Sequence, residues 1–186
     1  VPVQLLSHYY ILHIPVYLLY IFTLMLPKLL EMAVFCYFLH VTINHKFAAH
    51  SFGVLIWLTI FFLSDAGSGI FSYNLLLYSS VPTYVVSDMD GLGHIAAAVQ
   101  WFNLYWLLFA GLMVLVSALF FYRGVNAGLK ERWQLAMQRL DRCTRMFGCW
   151  LLLAFVCTGA YIYYNVSYLN DYTTSSEDSA RAILYE

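Results

Sequence analysis

The chain has 186 residues, of which 62% are hydrophobic and only 10% are charged, with a formal net charge of −1. A soluble domain usually carries about 25% charged residues, and a chain of this length cannot enclose so much apolar surface in one interior. The composition therefore predicts a polytopic membrane protein. The small net charge gives no indication of nucleic-acid binding.

Five apolar segments follow one another along the chain, at about 9–26, 29–43, 48–63, 94–122 and 147–164. A helix needs roughly 20 residues to cross a bilayer, so the fourth segment is long enough to tilt, and the second and third are short. Pro27 leaves open whether 9–43 crosses once, as a kinked helix, or twice, as a hairpin. We expect an all-α transmembrane helix bundle of about five spans, with a membrane domain over 1–165 and a polar tail over 166–186.

The connections differ in charge. The connection 64–93 contains three aspartates and no Lys or Arg, whereas 123–146 contains five arginines and Lys130 against two acids. The short loop 44–50 holds Lys46. By the positive-inside rule, 44–50 and 123–146 are cytoplasmic, and the long outer loop 64–93 and the tail lie outside. Within the outer loop, the apolar stretch 70–86 is broken by a proline and predicts an interfacial or re-entrant segment.

The stretch YVVSDMDGLGH, at 84–94, carries Asp88, Asp90 and His94 just before the longest apolar segment. Acids at this position stabilise the start of a helix by accepting hydrogen bonds from its free N–H groups. A helix start that faces a cavity can also contact a transported substrate, so these residues are the candidate outer gate. Two acids and one histidine leave a metal site incomplete.

Lys28 and Glu31 are three residues apart and can pair on one helical face. Together with Pro27 they are typical of a helix start at the membrane interface, although buried ionisable residues are also functional candidates. The spacing of the histidines does not suit haem between helices. The sequence holds neither an HExxH motif nor a complete Gly-x-Ser-Gly. We therefore expect no enzyme activity and no cofactor in this chain.

The stretch LKERWQLAMQRL, at 129–140, has apolar residues at 129, 133, 136, 137 and 140, which predicts an amphipathic helix. Such a helix can lie on an anionic lipid surface. It can also form a docking surface for a cytoplasmic partner, and the sequence does not choose between these roles. The four cysteines form no CxxC motif and are expected to be free thiols.

Six stretches together resemble the membrane region of bacterial type-2 ABC exporter permeases that are fused to an aminopeptidase-N-like metallopeptidase. They are LPKLLEMAVFCYFL (26–39), VTINHKFAAH (41–50), VVSDMDGLGH (85–94), WFNLYWLLFAGL (101–112), FFYRGV (120–125) and GAYIYYNVSYLNDYTTSSEDSARAILYE (159–186). The resemblance implies a multi-pass protein of the inner membrane with an extracytoplasmic tail. Its implied partners are a separate ABC ATPase subunit, a second permease half or second copy, and a possible downstream peptidase domain.

On this interpretation, ATP hydrolysis by the partner rocks the bundle between inward and outward openings, and the transported substrate is unknown. The candidate ATPase contacts are Lys46, Lys130, Arg132 and Arg139. The alternative is a membrane anchor that only presents an extracytoplasmic metallopeptidase.

Overall fold

The computed structural model describes residues 14–43, 45–65, 74–82, 93, 95–122 and 128–169. These residues form helices and their connections, with no strand among them, so the described fold is all-α. The α-helices are α1 (Ile14–Tyr20), α2 (Leu26–Thr42), α3 (Lys46–Asp65), α4 (Ile95–Phe120), α5 (Leu129–Arg139) and α6 (Arg142–Tyr164). Two π-helical turns occupy Ile21–Met25 and Asn165–Leu169.

The first two apolar segments form one continuous helix over 14–42, in which a π-turn joins α1 to α2. Pro27 lies inside this helix and has no N–H to donate to the carbonyl of Thr23, four residues earlier. The backbone accommodates the proline with the wider turn, in which Leu26 N–H bonds to the Ile21 carbonyl. Residues 14–42 therefore form one helix rather than a hairpin.

Among the residues that the structure describes, three helical stretches are long and apolar enough to cross a membrane: Tyr17–Thr42, Ile95–Phe120 and Arg142–Leu169. The apolar part of α3, Phe47–Phe62, is shorter. The predicted count of about five spans is not confirmed, because two of the predicted segments merge and the described apolar part of α3 is shorter than the other three.

Three of the helices pack in series, with α4 between α2 and α6. Ring contacts join Trp101 to Tyr161 and Phe109 to Phe155, so the residue numbers of α4 rise as those of α6 fall and the two helices are antiparallel. Next to α2, α3 also runs antiparallel, because the rings of His40 and His50 meet at 4.4 Å across the connection.

Helices α2 and α4 run parallel, and both end at the side of the bundle where α5 lies. We call this side the basic end. Towards the opposite end lies a hydrophobic core of three aromatic side chains, Phe102, Tyr105 and Trp106, together with Ile162. Around the bundle, apolar side chains such as Leu29 (66% exposed) and Trp150 (66% exposed) face outwards, as expected of a surface that contacts lipid.

Candidate functional site

Helix α5 binds the C-terminal end of α2 through Arg132. The Arg132 guanidinium donates hydrogen bonds to the carbonyls of Val41 (2.9 Å) and Thr42 (3.4 Å), and its side chain is only 7% exposed. The last carbonyls of a helix have no intrahelical donor and carry the negative end of the helix dipole. A guanidinium cation satisfies both the hydrogen bonds and the charge.

The same short helix binds the C-terminal end of α4 through Arg139. Its guanidinium donates to the carbonyls of Ala118 (3.2 Å), Leu119 (3.5 Å) and Phe121. Arg132 and Arg139 are seven residues apart, or about two helical turns, so they share one face of α5. We call these two arginines and the carbonyls they bind the α5 clamp. It connects the ends of two long helices through one short helix.

The sequence of α5 produces three faces. The face towards the bundle carries the two clamp arginines together with half-buried Leu135 and buried Ala136. A second face is polar and exposed and carries Lys130, Gln134 and Gln138.

The residue before α5, Gly128, caps the helix, and its N–H donates to the Glu131 carboxylate at 3.3 Å.

The third face of α5 is apolar and exposed. Trp133 (55% exposed) and Met137 (53% exposed) lie on it, although the sequence pattern groups them with Ala136 on one apolar face. The difference has a physical cause, because the free carbonyls of α2 and α4 bind the arginine face and turn the tryptophan face outwards. Amphipathic side chains in that position suit a lipid interface.

The four predicted ATPase contacts have different surroundings. Lys130 is exposed, whereas the guanidiniums of Arg132 and Arg139 are bound within the α5 clamp. The backbone of Lys46 starts α3, and its side chain lies outside the described residues. The predicted outer gate, Asp88, Asp90 and His94, also lies outside the described residues.

A second candidate site surrounds Glu31 on α2. The side chain is 2% exposed, and its Oε1 has no hydrogen-bond partner among the described residues. Lys28, one turn earlier, is exposed and attracts the carboxylate electrostatically. The helix continues through Pro27 and the bundle packs around the acid, so Glu31 is a buried ionisable residue, which the sequence left open beside an interfacial helix start. A buried acid in a helix long enough to cross a bilayer is a functional candidate.

The non-helical segment 74–82, which we call the inserted segment, covers Glu31. The Tyr78 hydroxyl donates to the Glu31 backbone carbonyl at 2.6 Å, and Trp106 Nε1 donates to the Ser80 carbonyl at 2.9 Å. The Tyr105 hydroxyl contacts the Leu75 carbonyl at 3.4 Å. Side chains of α4 thus satisfy backbone carbonyls of the segment, which allows irregular backbone to lie within an apolar bundle.

The inserted segment reaches deep into the bundle. The Tyr78 ring lies 5.3 Å from those of Phe35 and Trp106, and 5.9 Å from that of Phe109. Trp106 is the twelfth residue of α4 and lies about 17 Å along a helix that is about 39 Å long. Burial raises the pKa of the Tyr78 phenol above its usual range, and the Glu31 carboxylate adds to this effect. The phenol therefore remains a donor at neutral pH.

Ser79 completes the surroundings of Glu31. Its φ of 59° is in the left-handed region, which is strained for a serine, and its buried Oγ has no hydrogen-bond partner among the described residues. A cavity of about 170 Å³ adjoins it, lined on its polar side by Lys28, Tyr78, Ser79 and Ser80, and on its apolar side by Trp57 and Phe61 among others.

The sequence identified part of this site. It singled out Lys28 and Glu31, and it predicted an interfacial or re-entrant segment around 70–86. It gave no role to Tyr78, Ser79 or Trp106. The available signals were a broken, aromatic segment around the first two and a run of aromatic residues on the predicted helix that carries Trp106. In the described part of the chain, no group of three or more His, Cys, Asp or Glu side chains could hold a metal ion.

Comparison of the chain with protein-family models, with curated proteins and with solved structures finds no match.

Proposed function

We propose that this chain is a membrane permease segment of an ABC-type exporter, powered by a separate ATPase that docks on α5. The observation that carries the proposal is the α5 clamp. A helix with an exposed polar face is hydrogen-bonded through its opposite face to the ends of both α2 and α4. A partner that moves α5 therefore acts on the ends of two long helices at once and can change their relative position.

The inserted segment extends this connection towards the opposite end. It is bound to α2 through Tyr78 and to α4 through Trp106. A relative movement of α2 and α4 at the basic end therefore changes the two anchor points of the segment. This gives a physical route from the ATPase side to a gate on the other side, where we place Asp88, Asp90 and His94.

The charge distribution supports the orientation. The basic end carries α5 with Lys130 and the clamp arginines, and positive residues favour the cytoplasmic side. We therefore propose an inner-membrane protein with α5 in the cytoplasm and the tail outside. A second permease half or a second copy completes the transporter.

The first test is co-purification of an ATPase. The native protein that contains this chain is tagged and isolated from its own membranes in a mild detergent, and vanadate-sensitive ATP hydrolysis is measured. We expect an ATPase subunit and its activity to co-purify, and to be lost when Lys130→Glu and Gln134→Glu are combined on the exposed face of α5. The matched control, Phe52→Leu on the exposed face of α3, retains both.

Co-purification without any ATP-hydrolysing subunit would contradict the proposal and favour the membrane-anchor alternative. The same conclusion holds if a subunit does co-purify but is retained by the α5 variant as fully as by the control.

A further inference from the structure

Two buried oxygen atoms remain without a partner at the point where the inserted segment meets α2. They are Glu31 Oε1 and Ser79 Oγ, and neither has a hydrogen-bond partner among the described residues. The remaining polar groups of the segment do have partners, since Ser80 Oγ donates to the Asn74 side chain at 2.7 Å and Tyr78 donates to the Glu31 backbone. The proposed coupling through α5 uses neither of these two atoms.

We propose that Glu31 and Ser79 form a proton-binding site, and that loss of the proton from Glu31 releases the inserted segment from the bundle. The ligand is a proton exchanged with water. A protonated carboxyl has both a donor and an acceptor, and a serine hydroxyl can serve as either. The protonated Glu31 carboxyl and the Ser79 hydroxyl can therefore hydrogen-bond to each other while the segment stays docked.

The ionised form can still accept a hydrogen bond from the Ser79 hydroxyl, but its negative charge is then buried. The nearest cation on the same helix, Lys28, is exposed. Buried charges without a close partner are strongly unfavourable, and more so in an apolar bundle. The docked segment is also strained at Ser79. Ionisation therefore favours a state in which the segment moves aside and water reaches Glu31.

We assign the proton to Glu31 after considering the titratable and charged groups on each element that packs near it. On its own helix they are Lys28 and Cys36, and on the inserted segment the titratable group is Tyr78. Helix α4 presents Tyr105 to the same segment, bonded to the Leu75 carbonyl. Across the cavity, α3 contributes the uncharged Trp57, Ile60 and Phe61. The cavity also places Ser79 and Ser80 beside a space that can admit water.

Carbodiimide labelling tests proton binding directly. The full chain is reconstituted in phosphatidylcholine nanodiscs and treated with dicyclohexylcarbodiimide over a series of pH values. The reagent adds to a protonated carboxyl. The carboxyl oxygen bonds to the central carbon, the proton moves to a nitrogen, and rearrangement to the N-acylurea leaves the whole reagent mass on the protein.

We expect the peptide containing Glu31 to carry the label, and labelling to fall about tenfold for each pH unit above its midpoint. Glu31→Gln abolishes the label at this peptide, while a water-soluble carbodiimide still modifies the exposed Glu131. Absence of label at Glu31 at every pH overturns the proposal, because a proton-binding site must exchange with water. Labelling that does not vary with pH overturns it equally.

A cysteine at Leu77 tests release of the segment. The native cysteines are replaced by alanine, Leu77→Cys is introduced at this buried position (5% exposed), and its reaction with a water-soluble methanethiosulfonate is followed. Leu76→Cys, at a 54% exposed neighbour, corrects for titration of the thiol itself. The rate ratio of position 77 to position 76 is expected to rise with pH at the midpoint found for Glu31.

In the Glu31→Gln background this ratio is expected to stay constant and low. An equal rise in both backgrounds would overturn the coupling of ionisation to release. Both experiments use the chain without any ATPase, so their outcome is independent of the proposed transport function.

Discussion

The side-chain amide of Asn103 donates a 2.7 Å hydrogen bond to the backbone carbonyl of Thr23. Thr23 is the residue whose helical donor is missing, because Pro27 occupies the fourth position after it. A side chain of α4 thus completes the hydrogen bonding of the first long helix, and this contact allows one continuous helix to run through the proline.

A double-mutant cycle at Asn103 and Pro27 tests this relationship. We predict that Asn103→Leu lowers the free energy of unfolding by about 1 kcal/mol, the usual net value of one buried hydrogen bond. In a Pro27→Ala background the alanine N–H can bond to Thr23, so the same substitution is expected to cost much less. Unfolding is measured in mixed detergent micelles. Equal costs in the two backgrounds would show that Asn103 does not compensate for the proline.

Replacing the buried clamp arginine is predicted to be costly. Arg132→Met removes charge-assisted hydrogen bonds to Val41 and Thr42 and should lower the free energy of unfolding by about 1.5–3 kcal/mol. Lys130→Met makes a comparable change on the exposed face of α5 and should stay within about 0.5 kcal/mol of the wild type. Thermal unfolding of both variants in nanodiscs checks this. Similar losses for the two would mean that the guanidinium contacts contribute little.

Tyr78→Phe is predicted to weaken docking of the inserted segment while keeping its ring contacts. Loss of the hydrogen bond to Glu31 should cost about 1 kcal/mol. The pH dependence is measured in the Glu31→Gln background, in which the segment is expected to stay docked at every pH. Because burial raises the pKa of Tyr78, its contribution there is fully present below the unfolded value of about 10 and declines as pH rises through the folded value. The stability difference between Glu31→Gln and the Glu31→Gln, Tyr78→Phe double variant should therefore shrink at alkaline pH.

The control for this measurement is Tyr164→Phe, at a 56% exposed tyrosine at the opposite end from α5. We expect no comparable stability difference for this variant at neutral pH. A Tyr78→Phe difference that stays constant into strongly alkaline solution would contradict the assignment of the phenol as the docking donor.

Gly159 allows α6 to approach α4 closely. A Cβ at this position would lie 3.0 Å from Cε2 of the Tyr105 ring, so Gly159→Val is predicted to overpack the interface and cost about 1–3 kcal/mol. Ala160→Val, at the next and exposed position of α6, is expected to be close to neutral. Denaturant midpoints measured on the two variants decide between a packing effect and a general effect of valine in this helix.

The sequence was sufficient for the parts of the fold that depend on local pattern. The apolar segment 94–122 became α4, and the spacing of apolar residues in 129–140 predicted a helix that the structure confirms. The aromatic, proline-broken stretch 70–86 was expected to be interfacial or re-entrant, and its described part, 74–82, lies within the bundle. In each case, the element could be predicted from the length, hydropathy or periodicity of its own stretch of sequence.

The rest depended on contacts between residues far apart in the chain. The continuous helix over 14–42 is supported by a hydrogen bond from Asn103 to the Thr23 carbonyl, 80 residues away. The orientation of α5 requires free carbonyls at the ends of two other helices, which no pattern within α5 reveals. Burial of Glu31 follows from insertion of a segment that begins more than 40 residues later. Tertiary hydrogen bonds, rather than propensities, decided all three.

Site-specific photo-crosslinking from α5 tests the proposed docking of an ATPase most directly. A benzoylphenylalanine is placed at Gln134, on the exposed polar face of α5, and in a control at Phe52, on the exposed face of α3. Native membranes are irradiated, and adducts are probed with a photoreactive ATP analogue. We predict an adduct with a nucleotide-binding subunit from position 134 and none from position 52. Normal insertion of both variants without a nucleotide-binding adduct at position 134 would contradict the assignment of α5 as the docking helix.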